Sequence, residues 1–264
     1  MFTRVEKCAE GAFSRDMKAA ERQLRIRQMF SSRDFLDVES LCNELKASEA
    51  SIRRDLAALE SEHVLKRVFG GAIPVQTAGE FAVEMGQHAD EKTRIARATA
   101  ALIEDGQTII LDGGSTVAAV ARELANRSLH VITNSLPIAE IIESFRDIEL
   151  TLTGGYLDPR IRVMLGPFCE QMLGAIRADT VIMGIGSISE SGFSNNNTLV
   201  VGSETKMIEV ADRLIVVADR TKFGRGGMIP VAPLGAADFV VSDSALGQEH
   251  VQLLRSNGVE VVLA

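Results

Sequence analysis

Cysteine is scarce. Cys8, Cys42 and Cys169 are odd in number and far apart, which leaves neither a disulfide framework nor a CxxC metal pair; they read as buried or incidental thiols. Long apolar runs are missing as well. No segment approaches the roughly 18 apolar residues that would span a bilayer. The opening stretch MFTRVEKCAEGAFSRDMKAAERQ intersperses charge where a secretory leader holds about seven or more apolar residues in a row. A cytoplasmic protein with no membrane partner is expected. Neither GxGxxG nor GxxxxGK[ST] marks the glycine-rich loops, so no nucleotide cofactor is expected, and no metal.

An apolar fraction of 46% and a slightly positive mean hydropathy of +0.11 suit a packed globular chain. The formal charge of -8 is unevenly spread. Arg15 to Val75 carries 11 basic residues against 10 acidic ones, whereas Gln76 onward carries 15 against 24. The first segment is therefore the one better suited to a polyanion.

That segment reads as short helices. Leu24, Ile26 and Met29 suggest an apolar face on the first. Asp37 stands at an N-cap position ahead of Val38, Leu41, Cys42 and Leu45, and Ser48 at another ahead of Ile52, Leu56 and Leu59. Two capped helices joined by a tight turn make a helix-turn-helix. HVLKRVFGGAIPV then closes on Gly70, Gly71 and Pro74 as a hairpin or wing. Arg53 and Arg54, one turn into the Ser48-capped helix, sit where a recognition helix meets guanine edges in the major groove. Ser48 and Ser51 at the helix start suit a phosphate, and Lys66 and Arg67 would hold the flanking backbone. The alternative is a solvated helix face, with Glu49 and Asp55 as the arginines' partners.

From Thr93 onward strands alternate with helices. TIILD, HVITN, ELTLTGG, TVIMGIG, RLIVVAD, DFVVSD and VEVVLA are apolar runs with helical stretches between several of them, the pattern of a parallel sheet covered on both faces. The fold class is α/β, with a winged helix-turn-helix over 17–75, a linker over 76–90 and a larger, mostly parallel α/β domain over 91–264. Three loops follow strand ends: Asp112, Gly113, Gly114, Ser115 and Thr116; then Thr133, Asn134 and Ser135; then Thr153, Gly154 and Gly155. Loops at the carboxyl ends of parallel strands share one crevice, and amides, hydroxyls and a helix N-terminus there suit a phosphate. Lys222, in ADRTKFGR, is a further anion ligand for the same crevice.

SIRRDLAALE...LKRVFGGA resembles the helix-turn-helix of the DeoR family of bacterial sugar-metabolism regulators, in which T-I-R-R-D-L-x-x-L-E leads to H-G-G-A. KTRIARATAALIEDG, DGGST, TNS, TGG, the GP of Gly166 and Pro167, and DRTKFG resemble that family's effector domain. Phe69 replaces the usual His and His63 a common Gly. Leu199, Val200 and Glu204 fall where many members carry a glutamate pair and a lysine. Asn195, Asn196 and Asn197 read as a polar turn. The resemblance implies a fold related to sugar-phosphate isomerases, used for sensing. It implies a repressor of a carbohydrate operon that binds double-stranded operator DNA, responds to a phosphorylated sugar or derivative, and acts as a homodimer or homotetramer. The rival is a sugar-phosphate isomerase with a DNA-binding appendage, using Asp112, Asp219 and Lys222 as acid and base. Against it, the strand ending GIGSIS lacks a carboxylate.

Overall fold

The computed structural model describes residues 18–30, 35–62, 64–68, 70–74, 86–224 and 226–264. The chain divides into two units, Met1–Thr77 and Ala78–Ala264. In the first, α1 (Ala19–Met29), α2 (Val38–Leu45) and α3 (Glu49–Ser61) accompany β1 (Leu36–Asp37), β2 (Leu65–Val68) and β3 (Gly71–Pro74).

Both predicted caps form. Asp37 accepts from the Ser40 amide at 2.7 Å, and Ser48 from the Ser51 amide at 3.3 Å. Each satisfies one of the amide donors orphaned at a helix start. Lys46 ends α2 in a left-handed conformation, φ 49°, and so produces the tight turn. Ile26, Leu41, Leu45, Ile52, Leu56, Leu59 and Leu65 form the core. Leu24 does not join it and is 55% exposed. Residues two apart on a helix point to nearly opposite sides, so burying Ile26 turns Leu24 outward.

Asp55 is buried and receives the Arg22 guanidinium at 2.7 Å and the Gln23 amide at 3.2 Å. It thereby fastens α3 to α1 and is not the partner of the neighbouring arginines. β2 and β3 pair antiparallel, forming the expected hairpin, and β1 completes a three-stranded sheet. The glycine pair has a steric cause: Gly70 adopts φ 81°, and a Cβ on Gly71 would lie 2.3 Å from the Leu36 carbonyl oxygen. His63 and Phe69 lie outside the described residues, as does most of the predicted 76–90 linker.

The second unit is built on a parallel sheet of β4 (Thr108–Leu111), β5 (Leu129–Thr133), β6 (Ile148–Leu152), β9 (Thr180–Met183), β12 (Leu214–Val217), β14 (Phe239–Ser242) and β15 (Glu260–Leu263). All seven predicted strands enter it, in the order β15-β14-β12-β9-β4-β5-β6. Strand alternation sends successive side chains to opposite faces. Ile109, Leu111, Ile182, Ile215 and Val217 pack with α4 (Ala89–Ala100), α5 (Ser115–Glu123) and α6 (Leu136–Ile142). Ile110, Val181, Met183 and Val216 pack on the other side with α7 (Pro167–Gly174), α8 (Thr198–Val210) and α9 (Gln248–Ser256).

Smaller antiparallel pieces stand apart: a hairpin of β7 (Tyr156–Asp158) and β8 (Val163–Leu165), and a sheet of β10 (Ser187–Ser189), β11 (Gly192–Asn195) and β13 (Ile229–Ala232). Among the described residues, no helix is long and apolar enough to cross a membrane.

Candidate functional site

The strand order locates the site. The chain lays down β4, β5 and β6 in one direction, then returns to place β9 on the other side of β4. This reversal makes the carboxyl ends of β4 and β9 the topological switch point, where open α/β sheets leave a crevice. A cavity of about 280 Å³ lies there. Its wall includes Asp112 to Thr116 beyond β4 and Gly184, Ile185 and Gly186 beyond β9.

The first loop has the form expected of an anion cradle. Gly114 takes φ 114° immediately before α5, so Ser115 and Thr116 occupy the first helical positions, where amides have no intrahelical acceptor. Gly113 must lack a side chain because a Cβ would fall 2.5 Å from Val163 Cγ1 of the hairpin. Lys222 also lines the cavity, on a short 3-10 turn capped by Asp219, whose carboxylate accepts from the Thr221 amide at 2.9 Å.

The other two loops are largely occupied elsewhere. Asn134 lines the cavity and is 1% exposed; its Oδ1 has no hydrogen-bond partner, while its amide donates to the Met164 carbonyl at 3.3 Å. Thr133 instead donates to the Leu111 carbonyl at 2.6 Å and accepts from the Ser135 amide at 3.0 Å, joining β5 to β4. Ser135 is buried at the head of α6, bridged to Val163. Thr153, Gly154 and Gly155 do not line the cavity either. Thr153 faces Cys169 at 3.5 Å, and Gly155, at φ 133°, packs so closely under the hairpin that a Cβ would lie 2.7 Å from the Leu165 carbonyl oxygen. Of the three loops expected around the crevice, the first lines this cavity in full and the second through Asn134. The hairpin side chains of Ile161, Val163 and Leu165 form the wall that the third loop was expected to supply.

Two carboxyls meet in this cavity. Glu204, from α8, is 1% exposed and Asp112 is 5% exposed. Asn195 donates to Glu204 Oε1 at 2.8 Å, while Oε2 is buried without a hydrogen-bond partner among the described residues. Burial pushes the Glu204 carboxyl up to about 7, against the Asn195 bond that favours its ionised form. Burial, reinforced by the Glu204 charge, holds Asp112 well above the usual carboxylate range, with the Gly113 amide opposing. The carboxylate missing from the GIGSIS strand end is thus provided by α8, the next helix along the chain. Asn197 caps α8 through the Leu199 and Val200 amides, and both Asn197 and Asn195 line the cavity. The asparagine run is therefore both a turn and part of the wall.

In the first unit, Ser48, Ser51, Arg53 and Arg54 are grouped at the start of α3, with Ser48 Oγ 3.0 Å from Ser51 Oγ. Arg53 pairs with Glu49 at 2.7 Å across one exposed helical turn. Arg54 bonds the Ala50 carbonyl at 3.2 Å and, among the described residues, has no carboxylate against it. Lys66 is exposed on β2, where Arg67 is held by Glu60 at 2.6 Å. That pair braces the wing against α3.

Residues 22–78 match the DeoR-like helix-turn-helix domain and residues 87–244 the DeoR C terminal sensor domain. The HTH-type transcriptional repressor GlcR of Bacillus subtilis is 32% identical, covering 94% of this chain and 97% of that protein. The HTH-type transcriptional regulator GlpR of Haloferax volcanii is 33% identical, covering 93% and 98%. The glycerol-3-phosphate regulon repressor of Escherichia coli is 29% identical, covering 94% and 100%. Ribose 5-phosphate isomerase A of Methanocaldococcus jannaschii superposes on 52% of this chain and 56% of its own at 20% identity and a TM-score of 0.36, too slight a likeness to argue from. With both domain models matched in order along a winged helix-turn-helix and a parallel α/β unit, the chain belongs to the DeoR family of transcriptional regulators.

Proposed function

We propose that this regulator represses a carbohydrate operon and that a phosphorylated sugar or derivative, seated at the β4–β9 switch point, changes its affinity for double-stranded operator DNA. In this reading residues 17–75 bind DNA, 76–90 link the units and 91–264 sense the effector. The observation that carries the proposal is the cavity itself, which combines the glycine-lined start of α5 with Lys222, cationic and donor-rich features that suit a phosphate. Regulation requires that effector prefer one state of the protein, and a coupling of about 1–3 kcal/mol alters affinity by roughly 5- to 150-fold. Paired half-sites read by helix-turn-helix proteins favour a homodimer or homotetramer, acting in the cytoplasm where operator DNA lies.

Thermal-shift measurements with sugar phosphates and their unphosphorylated parents test the sensor. Stabilisation by phosphorylated compounds, lost in Ser115→Asp, is the expected result; stabilisation that is indifferent to the phosphate removes it. One observation favours a second reading, turnover: a carboxyl near 7 beside Asp112 has the proton affinity of a general acid–base. Isomer formation from a bound sugar phosphate, abolished in Glu204→Gln, would establish that reading and reassign the non-enzymatic one.

A further inference from the structure

Resting on the sugar-phosphate reading, we infer that this cavity selects a phosphorylated sugar that carries a protonated amine, with the ammonium between Asp112 and Glu204 and the phosphate at the α5 start and Lys222. Two independent observations converge. Asp112 and Glu204 are buried in one cavity whose lining, among the described residues, includes a single cationic side chain, Lys222. Burial already disfavours the ionised form of both carboxyls, and a phosphate dianion entering alone would disfavour it further, with one cation to offset it. An ammonium on the same molecule restores the balance.

The second observation is Glu204 Oε2, a buried acceptor without a partner among the described residues. An unmet buried acceptor is destabilising, more so when charged. An ammonium has three donors and no acceptor, and its bonds to carboxylates are charge-assisted, roughly twice as strong as those of a neutral hydroxyl. A hydroxyl would satisfy Oε2 and supply no charge to either carboxyl.

A divalent cation fits less well. The Asn195 amide already presents its donor nitrogen to Glu204, and among the described residues no group of three acidic, histidine or cysteine side chains is positioned to hold a metal.

The experiment is calorimetric titration of the full chain at pH 7.5 in EDTA with matched compounds: glucosamine, galactosamine and mannosamine 6-phosphates, the corresponding hexose 6-phosphates, and N-acetylglucosamine 6-phosphate. The expected result is an amino compound bound at least about tenfold more tightly than its hydroxyl counterpart and the N-acetyl compound. That ratio should fall toward one in Glu204→Gln, while the hydroxyl compound still binds the variant and so reports an intact fold. Equal or tighter binding of hydroxyl or N-acetyl compounds, or a preference that survives Glu204→Gln, overturns the amine and leaves the phosphate sensor standing. Failure of every phosphorylated compound to bind overturns both.

Discussion

Asn195 holds Glu204 Oε1 at 2.8 Å and thereby fixes the carboxyl with its other oxygen buried and unpartnered. The pair ties the end of β11 to α8, the helix that directly follows it in the chain. A group held in this way can respond to ligand and to pH.

The pH response has a definite sign. The Glu204 carboxyl is raised from an ordinary 4.5 to about 7, so between those values the folded state binds more protons than the unfolded one. Stability then falls as pH rises through that window and levels off above it. Asp112, also raised, acts in the same direction. Urea melts of the wild type from pH 5 to 8 should show this decline, and Glu204→Gln should flatten it; an unchanged slope in the variant would refute the assignment.

Arg54→Ala should weaken operator binding by about 1–3 kcal/mol, roughly 5- to 150-fold, if Arg54 reads a base edge. Effector affinity should not move, because the substitution lies in the other unit. Gel-shift titrations at fixed salt check the first point. DNA affinity within twofold of wild type would remove α3 as the recognition helix.

Ser115→Asp places a carboxylate at the first position of α5, beside the amides assigned to phosphate. The introduced charge is compatible with a helix N-terminus, so the fold should persist while a phosphorylated ligand is repelled. The predicted outcome is operator binding at wild-type affinity with no response to any sugar phosphate. A normal ligand response would show that the anion binds elsewhere.

Asp55→Ala removes the carboxylate that holds the Arg22 guanidinium, of which little is exposed. Removing one member of a buried pair costs about 3 kcal/mol or more. The first unit should melt earlier in calorimetry while the second keeps its transition. A shift below about 0.5 kcal/mol would mean that Asp55 is dispensable to the α1–α3 contact.

What local sequence determined about this protein was whatever has a local cause. The Asp37 and Ser48 caps, the Gly70–Gly71 turn and the glycine loop at Asp112 follow from residues a few positions apart. The seven parallel strands were legible because burial on both faces demands continuous apolar runs. β7, β8, β10, β11 and β13 gave no such signal, being short and marked by neither long apolar runs nor clear alternation. Leu24 is apolar yet exposed because its angle to buried Ile26 turns it outward.

The cavity was settled at another level. Strand order decides which loops share an end of the sheet, and the β7–β8 hairpin then packs against Gly155 while the Thr133 hydroxyl is spent joining β5 to β4. Sequence spacing carries no information about such closures, because their partners are brought together by the burial of two apolar layers rather than by proximity along the chain. The meeting of Glu204 with Asp112 is the clearest case: each carboxylate is unremarkable in its own segment, and only tertiary packing moves both out of water and into each other's field.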